Sequence, residues 1–218
     1  MASLCLNALG LGTVAGYYLR HLRTPESSGP RSYYERRRSL FKLLGASRAK
    51  LVFAGDSITN ECEWAELLSM PEAVNRGIDY DTTQGLLRRI HDITTLHPKK
   101  LFLLIGTNDL QRDVLPKSIV DNYREILRVV KTESNDTVVY VQSILPSAHV
   151  SPGAVSSMNR ELALVAEQSG AKYLDINSAL SGSNGHLQPD YTNDGVHLMA
   201  AGYERWRAVL MSAGALQN

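Results

Sequence analysis

Cysteine is nearly absent from the 218-residue chain: Cys5 and Cys62 are the only two, and no partnered spacing links them. A disulfide framework or a zinc site is therefore not expected, and cysteine usage leaves the compartment open. Excess charge of either sign is missing too. The 23 basic and 22 acidic residues leave a net charge of +1, which gives no electrostatic case for nucleic acid. His91 and His97 stand near one helix end without a third ligand, so surface positions are expected rather than a metal site. No internal repeat and no second domain are visible. What remains is ordinary for a globular chain, 44% apolar and 21% charged, at a length that suits one domain with a full core.

The N-terminus departs from that average. "MASLCLNALGLGTVAGYYLR" has no charged side chain before Arg20. A secretory signal fits Thr13-Val14-Ala15 as a small-residue cleavage site but lacks a basic start. A membrane anchor fits the length, although Asn7, Gly10, Gly12 and Gly16 dilute the hydrophobicity. A helix packed on the domain or on a partner is the third reading. Membrane association or export through residues 1–22 is the favoured expectation, with a cytoplasmic domain as the alternative. Basic residues after the segment point to the cytoplasmic side for the downstream domain. "RTPESSGPRS", 23–32, reads as a linker, and 33–218 as the folded domain.

"YYERRRSLFKLLG" opens that domain as a helix with Gly45 as its C-cap, and its Arg36-Arg37-Arg38 run reads as a solvated face. From residue 50, apolar strand-like runs recur at 50–54, 73–75, 100–105, 137–142 and 172–175. Helical patterns lie between them, at about 61–69, 82–96, 118–133 and 155–169, with a last one at about 198–213. Within 118–133, Ile119, Tyr123, Ile126, Leu127 and Val130 form one stripe. Alternation of this kind predicts an α/β fold: a three-layer α/β/α sandwich around a five-stranded parallel sheet with flavodoxin-like strand order. Ligands of such sheets bind beyond the carboxyl ends of the strands. There the chain places "GDS", "NRG" and "GTND", and the loop before the last helix adds "NDGVH".

A serine such as Ser57 in "GDS" caps a following helix more often than it attacks a substrate. Asp194 and His197, three residues apart, allow the carboxylate to reach Nδ1–H and leave Nε2 for Ser57. An exposed loop His beside a capping Asp is the competing reading. In the catalytic reading three donors converge on a developing oxyanion: the Ser57 N–H, the Gly77 N–H and the Asn108 side-chain amide. Taken singly, Gly77 reads as a turn residue and Asn108 as a loop cap.

Together, "AGDSIT", "NRGIDYDTT", "LIGTND" and "NDGVHLMAAGY" resemble the ordered blocks of the SGNH (GDSL-type) hydrolases, from Leu51 to Tyr203. The opening helix and "VYVQSILPS" resemble the branch described as platelet-activating-factor acetylhydrolase-like or sialate O-acetylesterase-like. The resemblance implies Ser57 as nucleophile, His197 as general base and then acid, and Asp194 as its orienting partner. Ser57, Gly77 and Asn108 would form the oxyanion site, with no metal or organic cofactor. Relatives commonly carry a Gly-Gly-Asp-Thr-Thr run. This chain has Asp79-Tyr80 ahead of Asp81-Thr82-Thr83, a bulky, charged pair expected to line the pocket mouth and contact substrate.

A serine esterase is thus expected, acting on short-chain, chiefly acetyl, esters of a carbohydrate or similar alcohol. A lysophospholipase or thioesterase near a membrane, and a non-catalytic binding module on the same fold, are the alternatives. Arg76 is expected to pair with Asp81, Asp109 to act as a local cap, and Trp64 to pack or to touch an acyl or sugar group. His149 and His186 fall in loops, with His186 the one in reach of the site.

Overall fold

The computed structural model describes residues 31–44 and 49–217. The expected segment 1–22, most of the expected linker and the Gly45 cap lie outside the described residues. No described helix is long and apolar enough to cross a membrane.

Five parallel strands form the sheet: β1 (Leu51–Gly55), β2 (Ala73–Gly77), β3 (Lys100–Leu104), β4 (Val138–Gln142) and β5 (Lys172–Leu174). Their order is β2-β1-β3-β4-β5, the flavodoxin-like order that the alternating pattern predicts. Successive side chains of a strand point to opposite faces, and here both faces are covered. Val52, Ala54, Leu101 and Leu103 join one core cluster, while Leu51, Phe53, Phe102 and Leu104 join the other. Hence β1 reads as an unbroken apolar run.

The first helices are α1 (Arg31–Leu44), α2 (Ser57–Asn60), α3 (Trp64–Leu68), α4 (Thr83–Arg88) and α5 (His91–Thr94). After them come α6 (Thr107–Gln111), α7 (Pro116–Glu133), α8 (Pro152–Ser169), α9 (Asn177–Leu180) and α10 (Ala200–Ser212). Residues of α4, α5, α7 and α8 pack on the first face of the sheet. Those of α2, α3, α9 and α10 pack on the second. The predicted stripe of α7 is buried throughout, and Pro116 begins the helix where no N–H is needed. Trp64 and Trp206 both belong to the second layer. Trp64 stacks on Phe53 with ring centroids 3.9 Å apart and meets Trp206 edge-on at 4.8 Å. Its Nε1–H donates to Thr59 O at 3.0 Å, so Trp64 is core rather than a substrate contact.

Three expectations change in the structure. The helix expected over 82–96 breaks at Arg89, whose side chain turns inward and is fully buried. Its Nε donates to Asp81 Oδ2 at 2.8 Å, Nη1 to Arg76 O at 2.8 Å, and Nη2 to Gly55 O at 3.1 Å. Arg89 is therefore an ion-pair partner of Asp81, and the Arg76 guanidinium lies over the Phe41 ring at 4.8 Å. The arginine run of α1 is more than a solvated face. Arg37 Nη2 donates to Asn60 Oδ1 and Arg38 Nε to Asp92 Oδ2, each at 2.7 Å, and Phe41 is buried. These contacts dock α1 on α2 and α5.

Removing one member of a buried ion pair leaves the other charge unpaired, a loss of about 3–5 kcal/mol. Arg89→Ala is expected to lower the unfolding free energy in urea by that amount. A loss below about 1 kcal/mol, the size of an exposed pair, would overturn the bracing role.

Candidate active site

At the end of β1 the chain turns directly into α2. Asp56 caps that helix, its Oδ1 accepting from Ile58 N–H at 3.1 Å. Because Asp56 does the capping, the Ser57 hydroxyl is left for other work. Ser57 Oγ lies 3.0 Å from His197 Nε2. Across the ring, Nδ1 is 2.7 Å from Asp194 Oδ2, and the His197 backbone N–H donates to Asp194 Oδ1 at 2.8 Å. Asp194 caps its turn, as the competing reading expects, and its second oxygen also holds the ring that faces Ser57. Ala148 N–H donates to Gly195 O at 2.9 Å and ties this late loop to the loop after β4, while Tyr203 OH of α10 donates to Ile58 O of α2 at 2.8 Å.

Ser57, His197 and Asp194 open on one cavity of about 230 Å³, shared with Tyr80, Thr107 and Asn108. Gly106, at φ 123, turns β3 into α6 and sets Asn108 at the cavity wall. One hydrogen of the Asn108 amide donates to Asp81 O at 3.0 Å, and the second is left for a ligand. Gly77 is not brought to this cavity. Its N–H donates to Asn75 Oδ1 at 2.8 Å, so the donor that the oxyanion role requires is already engaged. A Cβ there would meet the Asn60 backbone nitrogen at 2.3 Å, and close packing of β2 on α2 accounts for the glycine. The neighbour that does reach the cavity is Tyr80, at φ 62. Asp81 N–H closes its turn on Ile78 O at 3.2 Å, and Tyr80 N–H takes no part in the turn's hydrogen bonds. Asp79 does not line the cavity; its Oδ1 accepts from Asn60 Nδ2 at 2.6 Å.

Other groups at the site were not evident from spacing. His149, rather than His186, lines the cavity. Glu61 Oε1 lies 3.9 Å from His197 Nε2, brought there by the single turn of α2. Asp56 is fully buried with no partner for Oδ2, and burial pushes its carboxyl up to about 7. Asp109 accepts from Thr83 N–H at 2.9 Å and Thr83 Oγ1 at 2.6 Å, tying α6 to α4 beneath the cavity. Burial works against ionisation of Asp194. Hydrogen bonds from the His197 ring and from the His197 and Val196 N–H groups outweigh it and hold the carboxyl well below its usual range. Among the described residues no cluster of side chains is suited to hold a metal ion.

The sequence pattern described as the GDSL-like Lipase/Acylhydrolase family matches residues 53–205. The chain belongs to that family. As a GDSL-like acylhydrolase it is a serine ester hydrolase, with small-molecule esters as its substrates. Platelet-activating factor acetylhydrolase IB subunit alpha1 of Rattus norvegicus is 28% identical to it over 165 residues, 71% of this chain and 70% of the relative. A solved Streptococcus pneumonia protein, described as a platelet activating factor, superposes with a TM-score of 0.75 at 24% identity, covering 95% of this chain and 99% of its own. An acetylxylan esterase from Geobacillus stearothermophilus, solved as a catalytic mutant, gives 0.65 at 22% identity, over 78% and 95%. Both solved proteins share the hydrolase fold.

Partial burial lowers the His197 pKa, but the Asp194 hydrogen bond and the charges of Glu61, Asp194 and Asp56 outweigh it, so the ring titrates above its ordinary 6.5. The imidazolium therefore persists to a higher pH than in a free histidine. Glu61→Gln removes one of the raising charges, and the His197 titration followed by NMR is expected to move to lower pH. An unmoved titration would remove Glu61 from the electrostatics of the site.

Proposed function

We propose that this acylhydrolase cleaves short-chain esters, acetyl foremost, of a carbohydrate or similar polar alcohol, with Ser57 as the nucleophile. The observation that carries the reading is the unbroken relay from Ser57 Oγ through His197 to Asp194 Oδ2, at 3.0 and 2.7 Å. A serine hydroxyl needs an adjacent base, and that base needs a fixed tautomer. Ser57 Oγ attacks the ester carbonyl carbon while its proton moves to His197 Nε2. Charge developing on the carbonyl oxygen meets the free Asn108 amide hydrogen, with the Ser57 and Tyr80 N–H groups as backbone donors. His197 passes the proton to the departing alcohol oxygen, which leaves the acyl group on Ser57. Water then gives a proton to His197 and attacks the acyl carbon, and His197 returns that proton to Ser57 Oγ as the acid leaves.

The cavity supports a short acyl group. At about 230 Å³ it is smaller than the roughly 300–1,000 Å³ of pockets that enclose drug-sized ligands. Among the described residues, Ile58 and Val196 are its only aliphatic lining, set among Thr107, Asn108, Gln111 and His149. Such a wall suits a short acyl group and a polar alcohol better than the tail of a lysophospholipid. The names of the rat relative, an acetylhydrolase, and of the Geobacillus neighbour, an acetylxylan esterase, support the acetyl group. A complete relay argues against a binding module without catalysis.

Turnover of p-nitrophenyl esters, acetyl through lauroyl, is expected to fall with chain length and to vanish in Ser57→Ala. Turnover that rises with length would move the assignment to lipids, and turnover independent of Ser57 would overturn the nucleophile. Asn108→Ala is expected to lower kcat about 10²–10³-fold while circular dichroism stays unchanged. A kcat equal to that of the parent would take Asn108 out of the oxyanion site.

A further inference from the structure

Tyr80 combines a costly backbone with a place beside the reactive serine. Its φ of 62 lies in the left-handed region, where a Cβ crowds the following carbonyl. Among the described residues, three other non-glycine residues have positive φ: Ser69, His97 and Asp113. Each of these comes closely after the last turn of a helix, where left-handed residues gather. Tyr80 ends no helix. It stands in the turn between β2 and α4, held by Arg112 Nη2 on Tyr80 O at 3.1 Å. Glycine would take that backbone without steric cost, and a side chain 52% exposed adds little to the core. Strain retained at such a place points to a task in the cavity that Tyr80 lines.

The two sides of the cavity are distinguishable. Strand order puts Tyr80 beyond β2 at one end, Ser57 beyond β1, Asn108 beyond β3, and His149 beyond β4 at the other. The His197 loop is tied to the His149 side through Ala148. Because His197 protonates the departing alcohol, the alcohol leaves on that side. The acyl group is the other substituent of the carbonyl carbon and extends the opposite way. We infer that the Tyr80 side chain is the wall on the acyl side and limits the acyl group to a few carbons. This inference rests on the esterase reading.

Two ester series test it in the parent protein, Tyr80→Gly and Tyr80→Phe. One varies the acyl group on p-nitrophenol, and the other varies the alcohol on a fixed acetyl group. Room for one more methylene in an apolar pocket shifts discrimination by about 10–200-fold. Tyr80→Gly is therefore expected to raise the kcat/KM ratio of hexanoyl to acetyl ester by about tenfold or more. Tyr80→Phe keeps the parent ratio, and the alcohol profile is the same in all three. An unchanged acyl ratio in Tyr80→Gly, with Ser57-dependent acetyl turnover still present, overturns the wall and leaves the esterase reading standing. A shifted alcohol profile overturns the side assignment, and a Phe variant that behaves like Gly overturns bulk as the cause. Loss of Ser57-dependent turnover on every ester in the parent overturns the esterase reading itself. Should Tyr80→Gly fail to fold, Tyr80→Asn repeats the comparison with a shorter side chain that tolerates left-handed backbone.

Discussion

The carboxyl edge of the sheet depends on a cation that does not meet solvent. Arg89 neutralises Asp81 and takes the carbonyls of Gly55 and Arg76, at the ends of β1 and β2. Both carbonyls lie at the carboxyl edge of the sheet, and the Gly55 carbonyl accepts from Ile78 N–H at 3.1 Å as well as from the guanidinium. Gly55 leads into Asp56 and Ser57. The Asp81 carbonyl receives the Asn108 amide, and Tyr80 immediately precedes it. One guanidinium thus sets the serine, the Tyr80 turn and the Asn108 amide relative to each other. A lysine has one point charge and no fork, and it would not reach three acceptors in these directions.

A second constraint joins the two ends of the described chain. Ser57 and His197 are 140 residues apart, and α10 holds the histidine loop in place through packing with α2 and α3. The relay is therefore a property of the completed second layer. The strands and the first layer alone would present Ser57 without His197 beside it.

Much of this was legible in the sequence, for reasons that are local. Burial of one helix face imposes the stripe of α7, and a strand covered on both faces becomes an apolar run, as in Leu51–Ala54. Asp194 and His197 were legible because the carboxylate and the ring are brought together by a single turn. The missed features each depend on a choice between partners distant in sequence. Gly77 looked like an oxyanion donor because glycine permits close approach. The approach is real but is made by the Asn60 backbone, and the Asn75 side chain folds back to take the N–H. The pattern of 82–96 continues through Arg89 without a visible stop, because nothing local announces that a charged residue will turn inward to an acid eight positions earlier. Arg37 and Arg38 looked solvated because their partners, Asn60 and Asp92, are remote.

The placing of the two tryptophans has an optical consequence. Trp64 and Trp206 touch each other in the layer that carries α2 and α10, and the opposite layer of α4, α5, α7 and α8 has none. Tryptophan emission from the described domain is therefore a one-sided gauge. It reads the contact between the helices that hold serine and histidine together, with Phe53 of the sheet as its immediate neighbour. Loosening of the far layer would leave the indoles in their setting and pass without a signal. Separation of α3 from α10, the event that would part Ser57 from His197, would change it at once.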